Sequence, residues 1–473
     1  MGVTAAARLV AVLGVTGMLA AACSPAADPG ARSTPQPSAG GASQVTVVVN
    51  ADVFTVDPDR PWAEAFAYDA AGRILAVGDT DDVLGAAGDS PETVDAGGNL
   101  VLPGFHDPHV HVPEAGINLD LCLLPPAETV EVCASLLADC ADDQPDAEWI
   151  RAAGASLFDL RDADPLPIDA LDDAVPDRPV LVLDDLGHAV WINSLGLAAA
   201  DIDADDPDPQ GGILHRGRAS GRLTGLLLED AQQLVRNVAA PDDDTIYDGL
   251  LAALGELASN GITTVSDAGG YWAQRHPRAW QRALDEGALT VRAVNGLYVY
   301  PDLDVDAQLA EFERRFSDDP ANLLQFDTAK IYVDGILDLG TAALVEPYDE
   351  PVDPQYPSGF RYFRDDQLRR YVSALHDIGY RIHFHVIGDA ATRAALDAVE
   401  AIDADPAEIA ARRHRTTHTY LVHPDDVIAR AGTPLVRLVP VRPPAKRMLG
   451  FLTLDAPDDA FDSLSDEDLA GWQ

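Results

Sequence analysis

The stretch Gly104–Val112, GFHDPHVHV, places three histidines within six residues, directly after the apolar run NLVLP. Successive side chains of a strand alternate between its two faces, so His109 and His111 share one face while His106 takes the other. Two imidazoles on one face at the end of a strand can chelate a metal ion. The same pair also occurs as ordinary polar histidines satisfied by hydrogen bonds. The H-x-H pattern alone therefore leaves a metal site and a structural pair both open.

The rest of the chain alternates strand-like and helix-like segments. Residues from 45 to about 80 predict a small β element rich in hairpins. Five short β-branched runs follow later, at 261–269, 289–299, 326–335, 379–389 and 414–422. Between them lie amphipathic stretches such as DTIYDGLLAALGELASNG and RDDQLRRYVSALHDIG, the second of which ends on Gly379 as helices prefer. This alternation predicts βα units, and hence a parallel sheet or a barrel.

Two more histidines strengthen the metal interpretation of the first pair. His385 and His418 each fall in one of the later strand-like runs. A barrel places side chains from the ends of several strands at its carboxyl-terminal face. The sequence therefore predicts that these histidines converge with His109 and His111.

Lys330 lies in the apolar run AKIYVDG and is one of two lysines in the sequence, the other being Lys446. A free ammonium is costly to bury. The side chain therefore needs an acidic partner, for which Asp327 and Asp334 are the candidates, or it must lose its charge. Carboxylation by CO₂ would remove the charge and give a carbamate that bridges two metal ions.

The composition is that of a globular enzyme. The 473 residues are 47% hydrophobic, which predicts one large domain plus a small one. With 78 acidic against 32 basic residues, the net charge of -46 argues against binding nucleic acid or docking on anionic lipid. A very soluble or salt-tolerant surface is the simpler interpretation of this charge.

The first 44 residues predict export. Arg8, an apolar run from Leu9 and the small-residue site LAAAC form a signal peptide over 1–22, too short to cross a membrane as a mature helix. Residues 23–44 are rich in Pro, Ser, Gly and Ala and predict a flexible tether. The pattern resembles a bacterial lipoprotein lipidated on Cys23 and anchored to the outer side of the cell membrane. The lipobox is imperfect, because its Leu lies four places before the cysteine instead of three.

Three further cysteines allow a disulfide in an oxidising compartment. Cys133 and Cys140 lie seven residues apart in the helix-like segment ETVEVCASLLADC. A helix separates them by about 10 Å, which is beyond disulfide reach. Any bridge therefore involves Cys122, and the third thiol stays outside it. The alternative is three reduced, buried cysteines.

Seven motifs occur in order along the chain: LVLPGFHDPHVH, DDLGHAVWINSLGL, TGLLLEDA, GITTVSDAG, AKIYVDGILDLGTAALVEPY, HVIGDAATRAALDA and HRTTHTYLVHPDDV. Together they resemble the metal-dependent amidohydrolase superfamily in its YtcJ-like branch, amidohydrolase family 3. The resemblance covers residues from about 45 to about 428. It implies an α/β fold in which a (β/α)₈ TIM-like barrel, 105–473, stands beside a small β-sandwich portion, 45–104.

The resemblance also implies roles for single residues. His109 and His111 match the first-strand metal ligands. Lys330 matches the carboxylated, bridging lysine of the fourth barrel strand. His385 and His418 match the single histidines of the fifth and sixth strands.

Three other histidines have weaker counterparts in the family. His188, in GHAVWINS, matches a histidine that faces the substrate and stabilises an oxyanion, although a packed histidine at the start of a helix would look the same. His106 stands where the family has an apolar residue, and His383 is an extra histidine two places before the fifth-strand ligand. Both of these are predicted to support the site or the fold without binding metal.

The implied activity is hydrolysis of a small-molecule, amide-like C–N bond. One or two divalent ions, zinc by ligand type, would activate a water molecule and polarise the scissile carbonyl. A general base must then move the proton to the leaving amine. In the family that base is an Asp at the end of the eighth strand.

That Asp is not found in the segment after about residue 428, so the barrel is predicted to be atypical and incomplete at its C-terminal end. Asp455, in Asp-Ala-Pro, echoes the missing motif but follows His418 too closely for the remaining strands. Three alternatives stay open: a shortened or frame-altered hydrolase, a non-catalytic relative that binds metal or ligand, and a homo-oligomer in which another subunit supplies the base. A solute-binding lipoprotein is the interpretation from a different class, and stoichiometric metal would argue against it.

Overall fold

The computed structural model describes residues 45–427 apart from 120, 127–128, 162 and 164–165, and it omits the side chains of 158, 159 and 427. The chain divides into two compact units with the boundary between Pro103 and Gly104. Among the described residues, no helix has the length and apolar character needed to cross a membrane.

From residue 45 onward, where the structure describes it, the first unit is one five-stranded sheet with a single helix. Its elements are β1 (Thr46–Phe54), β2 (Trp62–Ala63), β3 (Ala65–Tyr68), β4 (Ile74–Gly78), α1 (Thr80–Ala87) and β5 (Glu92–Val101). Strands β2, β1, β3 and β4 pair antiparallel in that order, and β5 pairs parallel to β1. The predicted hairpin is confirmed between β3 and β4, where the Asp69 carboxylate accepts the N–H groups of Ala71 and Arg73 and Gly72 takes a left-handed φ of 76°. A second sheet that would complete a sandwich stays a prediction.

Among the residues that the structure describes, the second unit has twelve strands. They are β6 (Phe105–Val110), β7 (Cys122–Leu123), β8 (Ile150–Ala155), β9 (Val180–Asp184), β10 (Ala189–Ile192), β11 (Gly212–Arg216), β12 (Leu223–Glu229), β13 (Ile262–Gly270), β14 (Arg292–Tyr298), β15 (Leu324–Tyr332), β16 (Arg381–Val386) and β17 (Arg415–His418). They form two separate six-stranded sheets. The predicted strands in the five β-branched runs are confirmed as β13 to β17.

The helices of this unit surround and connect the strands. They are α2 (Val112–Asn118), α3 (Val130–Asp143), α4 (Leu157–Leu160), α5 (Pro167–Ala174), α6 (Ser194–Ala199), α7 (Gln232–Val238), α8 (Asp243–Ser259), α9 (His276–Asp285), α10 (Val305–Arg315), α11 (Asp365–Ile378), α12 (Asp389–Glu400), α13 (Pro406–Arg412) and α14 (Pro424–Val427). The two predicted amphipathic helices are confirmed as α8 and α11. In α11 the side chains of Leu368, Tyr371, Val372 and Leu375 are buried at the spacing of one helix face, and Gly379 caps its end.

One of the two sheets is entirely parallel. Its strands run in the order β6, β13, β14, β15, β16, β17, so sequence order and spatial order agree. Strand β15 has seven of its nine residues buried, as expected for a parallel strand covered on both faces. The histidine and lysine strands therefore occupy positions one, four, five and six of the sheet.

This parallel sheet curls back on itself. In a flat sheet the edge strands β6 and β17 would lie about 24 Å apart, five strand spacings. Instead, the Thr417 hydroxyl is 2.9 Å from His109 Nδ1, and the Arg415 guanidinium on β17 donates to the Ser266 hydroxyl on β13. The curvature gives an α/β architecture with a parallel half-barrel sheet, and the predicted α/β class is confirmed. Closure into a complete (β/α)₈ barrel remains a prediction.

The other sheet is mixed and belongs to the segment between β6 and β13. Its order is β11, β12, β10, β9, β8, β7, with β7 to β9 parallel and the other neighbours antiparallel. Cys122 of β7 and Cys140 of α3 form a disulfide, and Cys133 is buried outside it. The prediction that any bridge uses Cys122 is confirmed.

Candidate metal centre

The predicted ligands lie at the carboxyl ends of the parallel strands. His109 is near the end of β6, and His111 follows it as the residue that begins α2. His385 and His418 lie at the ends of β16 and β17. Lys330 lies near the end of β15. Parallel pairing brings these ends to one edge of the sheet, as the sequence predicted.

The imidazole rings form a continuous cluster. The ring centroid of His109 lies 5.6 Å from that of His111, 5.0 Å from that of His383 and 5.1 Å from that of His418. The ring of His385 lies 4.6 Å from that of His418. Because these rings come from both edges of the sheet and from its interior, the curvature of the sheet is what assembles the cluster.

The close approach of a neighbouring strand fixes the position of the His111 side chain. A Cβ atom on Gly269, at the end of β13, would lie 2.5 Å from His111 Nδ1, so only glycine allows this close approach. The Glu114 carboxylate lies 3.6 Å from the same nitrogen and is paired with Arg236 at 2.6 Å. The side chain of His111 is thus confined between a glycine and a buried ion pair.

Lys330 is fully buried, with no measurable exposure of its side chain. Among the described residues its Nζ has no hydrogen-bond partner, and it lies 4.9 Å from the ring centroid of Tyr332. Burial, reinforced by the positive charge of Arg415, holds the lysine pKa well below its usual value. Neither Asp327 nor Asp334 pairs with it: Asp327 binds Arg381, and Asp334 accepts backbone N–H groups. The sequence left open an acidic partner for Lys330 or loss of its charge. The buried amine fits loss of its charge.

Three histidines of the cluster, His109, His385 and His418, are held in their neutral form. Burial, with the charge of Lys330 as the second cause, lowers the pKa of His109 to about 2 and that of His418 to about 4. Burial also holds the pKa of His385 well below its ordinary value. Neutral imidazole is the form that binds metal ions.

The donor set fits a divalent cation in its chemistry. Buried nitrogens without a hydrogen bond include His111 Nδ1, His385 Nδ1 and Lys330 Nζ. Imidazole nitrogens and a carboxylated lysine are suitable ligands for zinc and similar ions. In the part of the chain that the structure describes, however, no three His, Cys, Asp or Glu side chains are grouped closely enough to hold one ion. Metal binding at this cluster therefore requires side-chain adjustment.

The predicted substrate-facing residue lies beside the cluster. His188 comes from the connection between β9 and β10, and its ring lies 5.1 Å from that of His385. Its Nδ1 is 2.6 Å from a carboxylate oxygen of Glu229. Burial opposes protonation of His188, but the charge and hydrogen bond of Glu229 outweigh it and raise the pKa of the imidazole. The pKa of His188 is thus shifted in the opposite direction to those of His109, His385 and His418.

The sequence of this chain matches a family model over most of the region just described. The model of the Amidohydrolase family covers residues 92–436. The chain belongs to the amidohydrolase family. The predicted resemblance to YtcJ-like amidohydrolases of family 3 is confirmed. Membership of this family supports a hydrolytic function.

Individual relatives agree with this assignment. The amidohydrolase is 30% identical to the protein YtcJ of Bacillus subtilis over 320 residues, which are 66% of this chain and 58% of YtcJ. It is 26% identical to the N-substituted formamide deformylase of Arthrobacter pascens over 371 residues, 75% of this chain and 66% of that protein. The chain thus spans about 58% of YtcJ. An uncharacterized metal-dependent hydrolase from Pyrococcus horikoshii shares the fold, with a TM-score of 0.59, 20% identity and coverage of 79% of this chain and 74% of that one.

Other residues singled out in the sequence of this amidohydrolase have different positions. His106 is exposed and lies outside the cluster. His383 lies within it, with its ring against His109 and its Nδ1 3.1 Å from the Arg415 guanidinium. Asp455 and Cys23 lie outside the described residues.

Two buried carboxylates near the site were not predicted. Asp267, on β13, accepts the Trp280 indole N–H at 2.8 Å and the Asn295 amide at 2.9 Å. Glu229 binds His188, as described above. Both lie inside motifs that the sequence analysis had picked out, GITTVSDAG and TGLLLEDA. Nothing in a chain with 78 acidic residues distinguished these two as buried side chains near the site.

Proposed function

We propose that this amidohydrolase hydrolyses an amide-like C–N bond of a small molecule with water activated by one or two divalent metal ions. The observation that carries the proposal is the convergence of four predicted ligand histidines and a fully buried, unpartnered lysine at one edge of a parallel sheet. The family membership supports hydrolysis as the reaction class.

The proposed ligands are His109, His111, Lys330, His385 and His418. Zinc is the expected ion, because nitrogen-rich sites with an open position are typical of catalytic zinc. Lys330 is proposed to react as a neutral amine with CO₂, forming a carbamate and releasing a proton. Its low pKa supports this step, since the neutral amine is the nucleophile.

A divalent ion at this position would activate water and act as a Lewis acid on the substrate carbonyl. His188 lies beside the ligand cluster and is proposed to hold the substrate carbonyl by a hydrogen bond. Such a bond is worth most if it strengthens as negative charge develops on the carbonyl oxygen. The group that returns the proton to the leaving amine is proposed to be a carboxylate outside the described residues, for which Asp455 is the candidate, or a group from another subunit.

The substrate class is proposed from the residues and from the names of relatives. One relative is named for deformylation of N-substituted formamides. N-formyl and N-acyl amides are therefore the first compounds to test on this chain.

Export and lipid anchoring at Cys23 are proposed from the sequence of residues 1–44. The disulfide between Cys122 and Cys140 supports this location, because such bonds persist in oxidising compartments outside the cytosol.

The test is to purify the chain, measure bound metal by mass spectrometry and assay a panel of N-formyl and N-acyl amides before and after treatment with a chelator. We expect about one or two equivalents of metal and turnover that is lost with the metal and restored by zinc. Metal without turnover on any compound would indicate a non-catalytic relative. Absence of metal together with chelator-resistant turnover would overturn the proposed site.

A further inference from the structure

The carboxylate of Glu229 is a junction between three chain segments. It is fully buried at the end of β12. One oxygen lies 2.6 Å from His188 Nδ1 and accepts the Tyr362 hydroxyl at 2.5 Å, and the other accepts the Thr341 hydroxyl. Thr341 and Tyr362 belong to the segment that follows β15, the strand of Lys330. The carboxylate therefore ties the mixed sheet to the segment leaving the metal-binding strand.

Backbone pairing between strands also brings His188 and Glu229 together. Strands β10 and β12 are antiparallel with Ala189 opposite Leu228, so the next pair outward is His188 opposite Glu229. The N–H of Glu229 donates to the carbonyl of His188 at 2.7 Å. Side chain and main chain thus both join these two residues.

Two unusual backbone features accompany the junction. Glu229 has a left-handed φ of 56°, a conformation that is strained for a non-glycine residue. A Cβ atom on Gly335 would lie 2.3 Å from the Glu229 carboxylate and 2.2 Å from the Thr341 hydroxyl, so the main chain passes directly against the pair. Strain of this kind persists where the surrounding structure over-determines it, and such places cluster at functional sites.

The junction faces the candidate metal centre through His188. The His188 ring lies 5.1 Å from that of His385 and 5.9 Å from that of Tyr332. A carboxylate can only accept a hydrogen bond, so the proton of the short contact belongs to His188 Nδ1. The other nitrogen, Nε2, is then the one left for the substrate, and it donates to a carbonyl oxygen when it also carries a proton.

We propose that Glu229 is a positioning residue, which binds Nδ1 of His188 and fixes the orientation of the ring so that Nε2 faces the substrate carbonyl. This inference rests on the proposed function of the site. Thr341 and Tyr362 hold the carboxylate in place, and the left-handed backbone of Glu229 turns it toward His188. Removing the carboxylate frees the imidazole to rotate without removing a metal ligand.

The first test compares Glu229→Gln, His188→Ala and the double variant in the metal-loaded full chain. Glu229→Gln is expected to lower kcat by about 10–100-fold, the usual effect of losing a carboxylate behind a functional histidine, while KM changes by less than about twofold. In the His188→Ala background the same substitution is expected to cause no further loss, because its effect passes through the imidazole. Additive losses in the double variant would overturn the proposal.

Two controls accompany this cycle. Asp169→Asn removes an exposed carboxylate of the same mixed-sheet region, which pairs with Arg222 at 2.6 Å, and is expected to leave kcat unchanged. Tyr362→Phe removes one donor to Glu229 but leaves the bond to His188, so its effect on kcat is expected to be smaller than that of Glu229→Gln. Equal losses in the two variants would contradict a role that acts through His188.

A second test does not depend on activity. The ¹⁵N spectrum of histidine-labelled full chain, assigned with His188→Ala, reports which ring nitrogen carries the proton. We expect a proton on Nδ1 of His188, and its replacement by exchange between tautomers in Glu229→Gln. A wild-type His188 with bare Nδ1 would overturn the proposal. If the spectrum shows the expected tautomer and the wild-type chain hydrolyses none of the amides, the proposed function fails while the positioning of His188 stands.

Discussion

The two sheets of the second unit have six strands each, yet they contribute very differently to the candidate site. The parallel sheet, β6 with β13 to β17, supplies four of its six strand ends as histidine or lysine positions. The mixed sheet, β7 to β12, supplies His188 and the carboxylate behind it. The difference follows from strand direction. Parallel strands bring all their carboxyl ends to one edge, whereas antiparallel neighbours alternate and place only selected turns there.

The two sheets also differ in the hydrogen bonding of the polar side chains that they bring to the candidate site. At the edge of the parallel sheet, the buried atoms His111 Nδ1, Lys330 Nζ and His385 Nδ1 have no hydrogen-bond partner among the described residues. In the mixed sheet the polar group that reaches the site, His188, is held by a bonded carboxylate. We therefore expect changes in the parallel sheet to remove metal and changes in the mixed sheet to leave it.

The largest expected effect comes from replacing both His109 and His111 with alanine. Metal and turnover are expected to fall to undetectable levels, because two neighbouring ligands are lost together. His106→Ala, on an exposed side chain three residues before His109, is the matched control and is expected to keep both. Mass spectrometry measures the metal bound per chain. A double variant that binds as much metal as the wild-type chain would show that the ligands lie elsewhere.

Lys330→Met is expected to come next. The side chains are similar in length, so the core stays filled, and a buried amine without a hydrogen-bond partner among the described residues is removed. Metal affinity and kcat are expected to fall by about 10–100-fold, while the free energy of unfolding stays the same or rises. Denaturant unfolding and metal titration measure the two quantities. A large loss of stability with activity retained would assign the lysine a structural role.

In the mixed sheet, replacing Cys122 and Cys140 with serine opens a disulfide between residues 18 apart. The free energy of unfolding is expected to fall by about 3 kcal/mol, with metal content unchanged. A reductant is expected to produce the same shift in the wild-type chain and none in the variant. Loss of metal on reduction would show that metal binding also depends on the disulfide of the mixed-sheet region.

The smallest effects come from two glycines. Gly269→Ala places a methyl group 2.5 Å from His111 Nδ1 and is expected to weaken metal binding by about tenfold. Gly255→Ala, inside α8 with nothing within 4 Å of the new methyl group, is expected to leave metal binding alone and to stabilise the fold by about 0.5–1 kcal/mol. Metal titration and thermal unfolding of both variants test the contrast.

Much of the parallel sheet could be predicted because its strands carry strong local signals. Short β-branched runs between amphipathic helices mark βα units, and the histidines and Lys330 lie near the ends of those runs. The order of the strands then follows from the right-handed connection of such units. The candidate ligands could accordingly be placed at one edge before any coordinates were known.

The mixed sheet gave no comparable signal. Strands such as β10 and β12 are buried along their whole length, so they lack the alternation that marks a half-buried strand. The pairing of His188 with Glu229 depends on the register between two strands separated by another strand and several turns. Register of that kind is fixed by tertiary contacts, and sequence spacing does not reveal it.

The meeting of β6 and β17 has a consequence for how the molecule folds. Thr417 and His109 touch across a sequence separation of 308 residues. Contacts of such high order form late, because the entropy of closing the loop must be overcome before the contact stabilises anything. During synthesis the centre cannot exist until the last of these strands has left the ribosome. A metal ion would therefore bind after the sheet has curled. Its binding would then stabilise the contact between the edge strands β6 and β17.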